Sequence, residues 1–186
     1  MIELSPHRLS LSTGIEMDVF TAGDPKNPAI IFLHGFPESH RTWRHQIAHF
    51  ADRFYCIAPD QRGYRGTSKP QAVDGYTADK LTADIFALAD ALHVQQFIIA
   101  GHDWGGAIAW SVALNGQAGA LNPAWAGRVP RAIIANAPHP YIFQRLLITD
   151  MNQRESSQYI RAFRDPANDA LVQEQGLTGL LLKTIK

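Results

Sequence analysis

The sequence predicts an α/β fold, a mostly parallel sheet with helices on both faces. Three observations lead there. Four short apolar runs, Ala29–Leu33, Phe54–Ala58, Phe97–Ala100 and Arg131–Asn136, have strand length and no polar alternation, as strands buried on both faces do. Between them, apolar residues recur at helical spacing: Trp43, Ile47 and Phe50 in one stretch, Leu81, Ile85, Leu88 and Leu92 in another. Strands alternating with helices favour parallel pairing, because each crossover lays a helix on the sheet. The third observation is the run Gly101-His102-Asp103-Trp104-Gly105-Gly106, where a strand turns sharply into a helix with Asp103 at the apex.

The elements follow in order. Leu9–Ser12 and Ile15–Thr21 flank Thr13-Gly14 and predict a β-hairpin. Asp24 to Pro28 is a turn, and Ala29–Leu33 a buried strand. A loop with Gly35 and Pro37 leads to a helix over Trp43–Phe50, then to the strand Phe54–Ala58 and a loop from Pro59 to Pro70. Thr77 is placed to cap a helix reaching Leu92. The strand Phe97–Ala100 and the Asp103 turn precede a helix from Gly105 to Leu114. Asn115–Gly127, rich in Ala, Gly and Asn, is expected to be loop, and Arg131–Asn136 another buried strand. Beyond Pro140 the pattern turns helical, over Tyr141–Ile148, Ser156–Phe163 and Asp169–Ile185, with no further strand. The expected organisation is a core over residues 1–139 and the start of a helical cap over 140–186.

Composition narrows the function. The 186 residues are 46% hydrophobic, enough for one globular domain with a real core. Seventeen basic and 17 acidic side chains balance, and no basic stripe points to nucleic acid or an acidic membrane surface. Met1 to Arg8 lacks an apolar leader, and no run reaches the ~18–20 residues of a membrane span. Cys56 is the single cysteine, so no intrachain disulfide forms, and a reducing, cytoplasmic location is expected. No metal or other cofactor is expected; a Cys-x2-Cys pair is absent, and His102 beside Asp103 is not ligand spacing.

Asp103 has two readings. An acid before a helix is a common N-cap. In the α/β hydrolases, however, the nucleophile stands on a strand–turn–helix elbow framed by small residues. An Asp at that apex means carboxylate attack and an ester intermediate. The loop His34-Gly35-Phe36-Pro37, directly after a buried strand, stands where such enzymes build an oxyanion hole from backbone N–H groups, the second coming from the residue after the nucleophile. Pro37 is placed for a cis bond. His34 is expected to support this loop and His102 the elbow, while Asp60 and Arg62 brace the loop after their strand. Cys56 reads as a small buried hydrophobe.

His34-Gly35-Phe36-Pro37-Glu38-Ser39 with Trp43-Arg44, Asp60-Gln61-Arg62-Gly63-Tyr64 through Ser68-Lys69-Pro70, and Gly101 through Gly106 together resemble the epoxide hydrolase family of the α/β hydrolases, from about residue 4 onward. The resemblance implies that Asp103 opens an epoxide to a hydroxyalkyl ester, with Phe36 and Trp104 as backbone oxyanion donors. Ser157-Gln158-Tyr159 through Phe163-Arg164-Asp165-Pro166 is similar to the family's first cap-tyrosine segment, making Tyr159 the donor to the epoxide oxygen. The implied partners are a small apolar epoxide and water. Haloalkane dehalogenases share an Asp-Trp elbow but usually carry Asn where this chain has Phe36. Fluoroacetate dehalogenases place arginines where this chain has Trp104 and Ala107, which disfavours an anionic substrate. Arg65-Gly66 departs from the family's usual Gly-x-Ser run. The family's histidine base and its acid partner follow the cap, so the chain looks like an N-terminal part, with Leu177, Leu180, Leu181 and Leu182 expected to be exposed. Self-association or a complementing C-terminal half follows as an expectation. Two alternatives stand beside this reading: a haloalkane dehalogenase-like hydrolase, and a non-catalytic interaction module on a truncated hydrolase core.

Overall fold

Strands β1 (Ser5–Ser10) and β2 (Glu16–Ala22) pair antiparallel around Thr13-Gly14, with Gly14 at φ 78°. The chain forms a computed structural model in which residues 3–162 are described and, beyond them, 170, 172–174, 176 and 178. It divides into two compact units, Met1–Pro138 and His139–Lys186.

In the first unit the sheet continues with β3 (Ala29–Leu33), β4 (Tyr55–Pro59), β5 (Phe97–His102) and β6 (Arg131–Ala135). The strand order is β1-β2-β4-β3-β5-β6. The pairs β3–β4, β3–β5 and β5–β6 are parallel, and β2–β4 is antiparallel. Every residue of β3 and β4 is buried, as their unbroken apolar character predicts. Alternate residues of β3 feed opposite faces. Ile30 and Phe32 join Trp43, Ile47 and Cys56 in one apolar cluster, which seats α1 (Arg44–Phe50) and the 3-10 turn before it (His40–Trp43). Ile31 and Leu33 join Phe86, Leu88, Ile99 and Val112 in the other, which seats α2 (Ala78–Ala91) and α3 (Trp104–Ala118). Helices therefore cover both faces. Each large aliphatic or aromatic side chain so buried contributes roughly 1.5–3 kcal/mol.

Three expectations need correction. The helix after the elbow does not stop at Leu114 but runs to Ala118, ending at the left-handed Gly119 (φ 64°). Low helix propensity in Asn115-Gly116 is overridden by Asn115, whose amide donates to Ser111 O and accepts the Leu121 N–H, and by Gly116, packed against Val129. Strand β6 is not buried: among the described residues no strand pairs on its outer side, and Ile133 is 54% exposed. Thr77 does occupy the N-cap of α2, yet its side chain caps nothing.

The loop after β4 is held by buried charge. Arg62 makes a two-pronged pair with Asp84 of α2, Nε to Oδ2 and Nη2 to Oδ1, both 2.7 Å. Its Nη1 donates to Gly75 O at 2.6 Å, and Thr13 Oγ1 donates to Asp84 Oδ1 at 2.6 Å. Asp60 accepts the His40 N–H at 2.8 Å and faces His40 Nδ1 at 3.0 Å, with the His40 ring stacked on Phe20. Arg65, where the family pattern expects glycine, takes the left-handed φ of 45° that glycine favours.

The second unit begins with α4 (Pro140–Thr149), as the helical spacing over Tyr141–Ile148 predicts. A helix not anticipated from the sequence, α5 (Met151–Ser156), is capped by Asp150, whose Oδ1 accepts the Asn152 and Gln153 N–H groups. Ser157 separates α5 from α6 (Gln158–Ala162). Phe163 to Pro166, the helix expected over Asp169–Ile185 as a continuous element, and Leu177, Leu180, Leu181 and Leu182 lie outside the described residues.

Candidate active site

Gly101 ends the buried part of β5 because a side chain there would strike Gly105 O and Ala109 of α3. Gly105 has no room for one either, since the Leu33 and His34 carbonyl oxygens lie against it. Gly106 faces Ala137. These three positions let helix α3 start directly over the ends of β3 and β5. Asp103, at the apex, adopts φ 55°, ψ −124°, a conformation costing a non-glycine residue on the order of 1–3 kcal/mol. Its N–H donates to Ala135 O of β6 (3.1 Å) and its carbonyl accepts the Ala107 N–H (3.0 Å), so both neighbours hold the strained turn.

The side chain of Asp103 does not cap α3. Instead Oδ1 accepts the Phe36 N–H at 2.9 Å. Gly35 permits this approach: a Cβ there would lie 2.6 Å from both Asp103 Cβ and Oδ1. The Phe36–Pro37 bond is cis. No bond from the Trp104 N–H to the carboxylate accompanies the Phe36 contact among the described residues. Trp104 opens α3 with 52% of its surface exposed.

His34 is fully buried beneath the loop. The Gln61 N–H donates to its Nε2 (3.1 Å), so the proton sits on Nδ1, which donates to Gly35 O (2.8 Å). Gln61 also donates its side-chain amide to His34 O, and Tyr64 meets the imidazole edge-on at 4.6 Å. Burial pushes the Tyr64 phenol up to about 12, with the negative charges of Asp103 and Glu38 adding to it. Burial pushes His34 below its ordinary 6.5. In the unfolded chain His34 takes a proton near 6.5; in the folded chain it resists. Stability from this group is therefore complete above the unfolded value and declines as pH falls below it. Melting from about pH 7.5 to about pH 5.5 should lower the Tm, with a shallower decline in His34→Gln, and parallel declines would refute the assignment.

Glu38 and Asn136, neither singled out in the sequence, join the elbow. Glu38 Oε2 accepts the Gly35 N–H at 2.8 Å and lies 3.3 Å from His102 Nδ1. Asn136 Nδ2 stands 3.3 Å from His102 Nε2. A readable signal existed for Asn136: Asn directly after a strand is the residue type, after glycine, that most readily takes positive φ, and its φ is 54°. His45 and His49 stand one turn apart on α1, a spacing suited to metal ligands that the sequence reading passed over; among the described residues no group of three or more His, Cys, Asp or Glu gathers to hold an ion. Tyr159 lies on α6 in the second unit, 54% exposed. Among the described residues, no helix is long and apolar enough to cross a membrane.

A sheet of this order with an acid on a glycine-framed elbow has close relatives. The family model for the alpha/beta hydrolase fold matches residues 28–119. A solved structure described under novel epoxide hydrolases from metagenomes of hot environments is 65% identical, with TM-score 0.90, covering 99% of this chain and 59% of that one. The chain has the alpha/beta hydrolase fold. Several of the proteins it resembles are named epoxide hydrolases. Epoxide hydrolase A of Mycobacterium tuberculosis is 43% identical over 108 residues, 58% of this chain and 34% of that protein. A Bacillus megaterium epoxide hydrolase variant, solved with its diol product, is 29% identical with TM-score 0.82, over 97% of this chain and 59% of that one. The chain thus spans between a third and three-fifths of the length of these α/β hydrolases.

Proposed function

We propose that this chain carries the ester-forming half of an epoxide hydrolase, with Asp103 as nucleophile. The observation that carries the reading is the Phe36 N–H on Asp103 Oδ1 at 2.9 Å, on a strained elbow that a simple helix cap does not require. With Oδ1 held, Oδ2 is the oxygen free to attack. It forms a bond to an epoxide carbon, the carbon–oxygen bond of the ring breaks, and the electron pair moves to the epoxide oxygen. That oxygen takes a proton from the Tyr159 phenol, a role supported by its motif. In the resulting ester Oδ1 is the carbonyl oxygen. Water attack would place negative charge there, where Phe36 N–H, joined by Trp104 N–H, stabilises it; one such donor is typically worth about 10²–10³ in rate. An apolar epoxide suits Trp104 and Ala107 better than a charged one.

The last histidine of the sequence is His139, ahead of α4. The family resemblance assigns the water-activating base to a later histidine, so the ester formed by these 186 residues alone persists. Electrospray of the intact chain after incubation with an aryl epoxide should show a mass gain of one substrate, absent in Asp103→Asn. Tyr159→Phe should slow its appearance by about 10²-fold or more. Steady diol production by these residues alone would overturn the trapped-ester reading. Absence of an adduct with a native circular-dichroism spectrum would overturn the nucleophile assignment. Halide release from a chloroalkane, without an epoxide adduct, would move the substrate class to haloalkanes.

A further inference from the structure

The loop that carries the Phe36 N–H is tied to the elbow by a polar chain outside the nucleophile itself. Glu38 closes the loop on both sides: its N–H donates to Gly35 O at 3.2 Å, and its Oε2 accepts the Gly35 N–H at 2.8 Å. The same Oε2 faces His102 Nδ1, and the far side of that ring faces the Asn136 amide. Three sheet strands are thereby joined at their C-terminal ends: the loop after β3, the last residue of β5, and the residue after β6. The order of donors follows from chemistry. A carboxylate only accepts, so His102 Nδ1 must carry a proton. With the Asn136 amide turned so that Nδ2 faces the ring, Nε2 is the acceptor and the ring proton sits on Nδ1. Both carboxylate-bound N–H groups converge on one oxygen, so the Glu38 side chain fixes the position of Gly35 relative to the elbow. Phe36, the next residue, has its N–H aimed at Asp103 Oδ1.

We infer that Glu38, His102 and Asn136 form a positioning relay that sets the Phe36 N–H against the Asp103 carboxylate. The inference rests on the reading of Phe36 as oxyanion donor, but its first test needs no substrate. Glu38 and Asn136 touch no reacting atom; they act through Gly35 and His102. A structural filler at either position would have no need to select one imidazole tautomer.

Side-chain ¹H–¹⁵N NMR of the full 186-residue chain at neutral pH should show His102 with its proton on Nδ1. In Glu38→Ala that preference should vanish, and the Phe36 amide should exchange with solvent at least about tenfold faster, as expected for a donor released from its partner. Glu38→Gln keeps one oxygen to accept both N–H groups and should restore both signals. Asn136→Gly retains the positive φ while removing the amide; Glu38 still holds the proton on Nδ1, and the Nε2 ¹⁵N resonance should shift on losing its donor, a readout that stands even if Glu38→Ala fails to fold. An Nε2-protonated or doubly protonated His102 in the unaltered chain would overturn the relay. So would a Phe36 exchange rate unchanged in folded Glu38→Ala or, should that variant not fold, an Nε2 resonance unchanged in Asn136→Gly. Ester formation, followed separately by intact mass, reports on the nucleophile reading. If the tautomer shifts as expected and no adduct ever forms, the relay stands and the epoxide chemistry falls.

Discussion

Asp84→Ala should destabilise the chain by about 3–5 kcal/mol, the range for removing one partner of a buried ion pair. Asp84 is 1% exposed and Arg62 7%. Alanine would leave the guanidinium buried with only Gly75 O to accept from it, and would orphan the Thr13 hydroxyl as well. The damage spreads because the pair joins three distant segments: the tip of the β1–β2 hairpin, the loop after β4 and helix α2. The net worth of the pair is a different quantity. Two buried charges lose much of their mutual attraction to desolvation, so Arg62→Met with Asp84→Leu should recover a large part of the loss. Urea titration of the single and double variants measures both. A single variant that costs below ~1 kcal/mol would mean water reaches Arg62 and the pair is not truly buried.

Gly105→Ala should cost about 3 kcal/mol or more, the upper end for one added methyl in a packed interior. Its φ is ordinary, so the backbone adds no penalty and helix propensity favours alanine. The whole penalty is collision with the Leu33 and His34 carbonyls, which belong to the strand in the middle of the sheet and the loop leaving it. Neither moves without disturbing β3 or the oxyanion loop. Gly127→Ala is the matching control: φ is 76° with open space around it, so it should cost only the ~1–2 kcal/mol of a left-handed alanine. Denaturant midpoints that rank the two variants the other way would show that α3 shifts freely off the sheet.

Reading order along the chain explains which parts were legible. Ala29–Leu33 matches β3 residue for residue, since an unbroken apolar run bounded by turn residues has few other solutions. The elbow was equally plain, because Gly101, Gly105 and Gly106 surround an acid in six residues. Strand β6 misled: Arg131–Ala135 has the composition of an interior strand, but burial depends on whether a neighbour pairs on each side, which composition does not encode. The end of α3 misled for a related reason, as Gly116 packs against Val129, a partner distant in sequence. Glu38 lay inside a quoted motif without being assigned a task. Its meaning depends on His102, 64 positions away, and no local pattern announces such a meeting.

The thiol of Cys56 sits in β4, between β2 and β3, with no exposed surface and its pKa pushed up to about 11 by burial. Reagents that modify sulfhydryls require both access and the thiolate, and the folded chain withholds each. Labelling can therefore proceed only through openings that part the centre of the sheet. As the sole sulfhydryl of the sequence, Cys56 makes the protein its own clock: the rate of its modification counts the moments when the core is apart, without a probe being introduced.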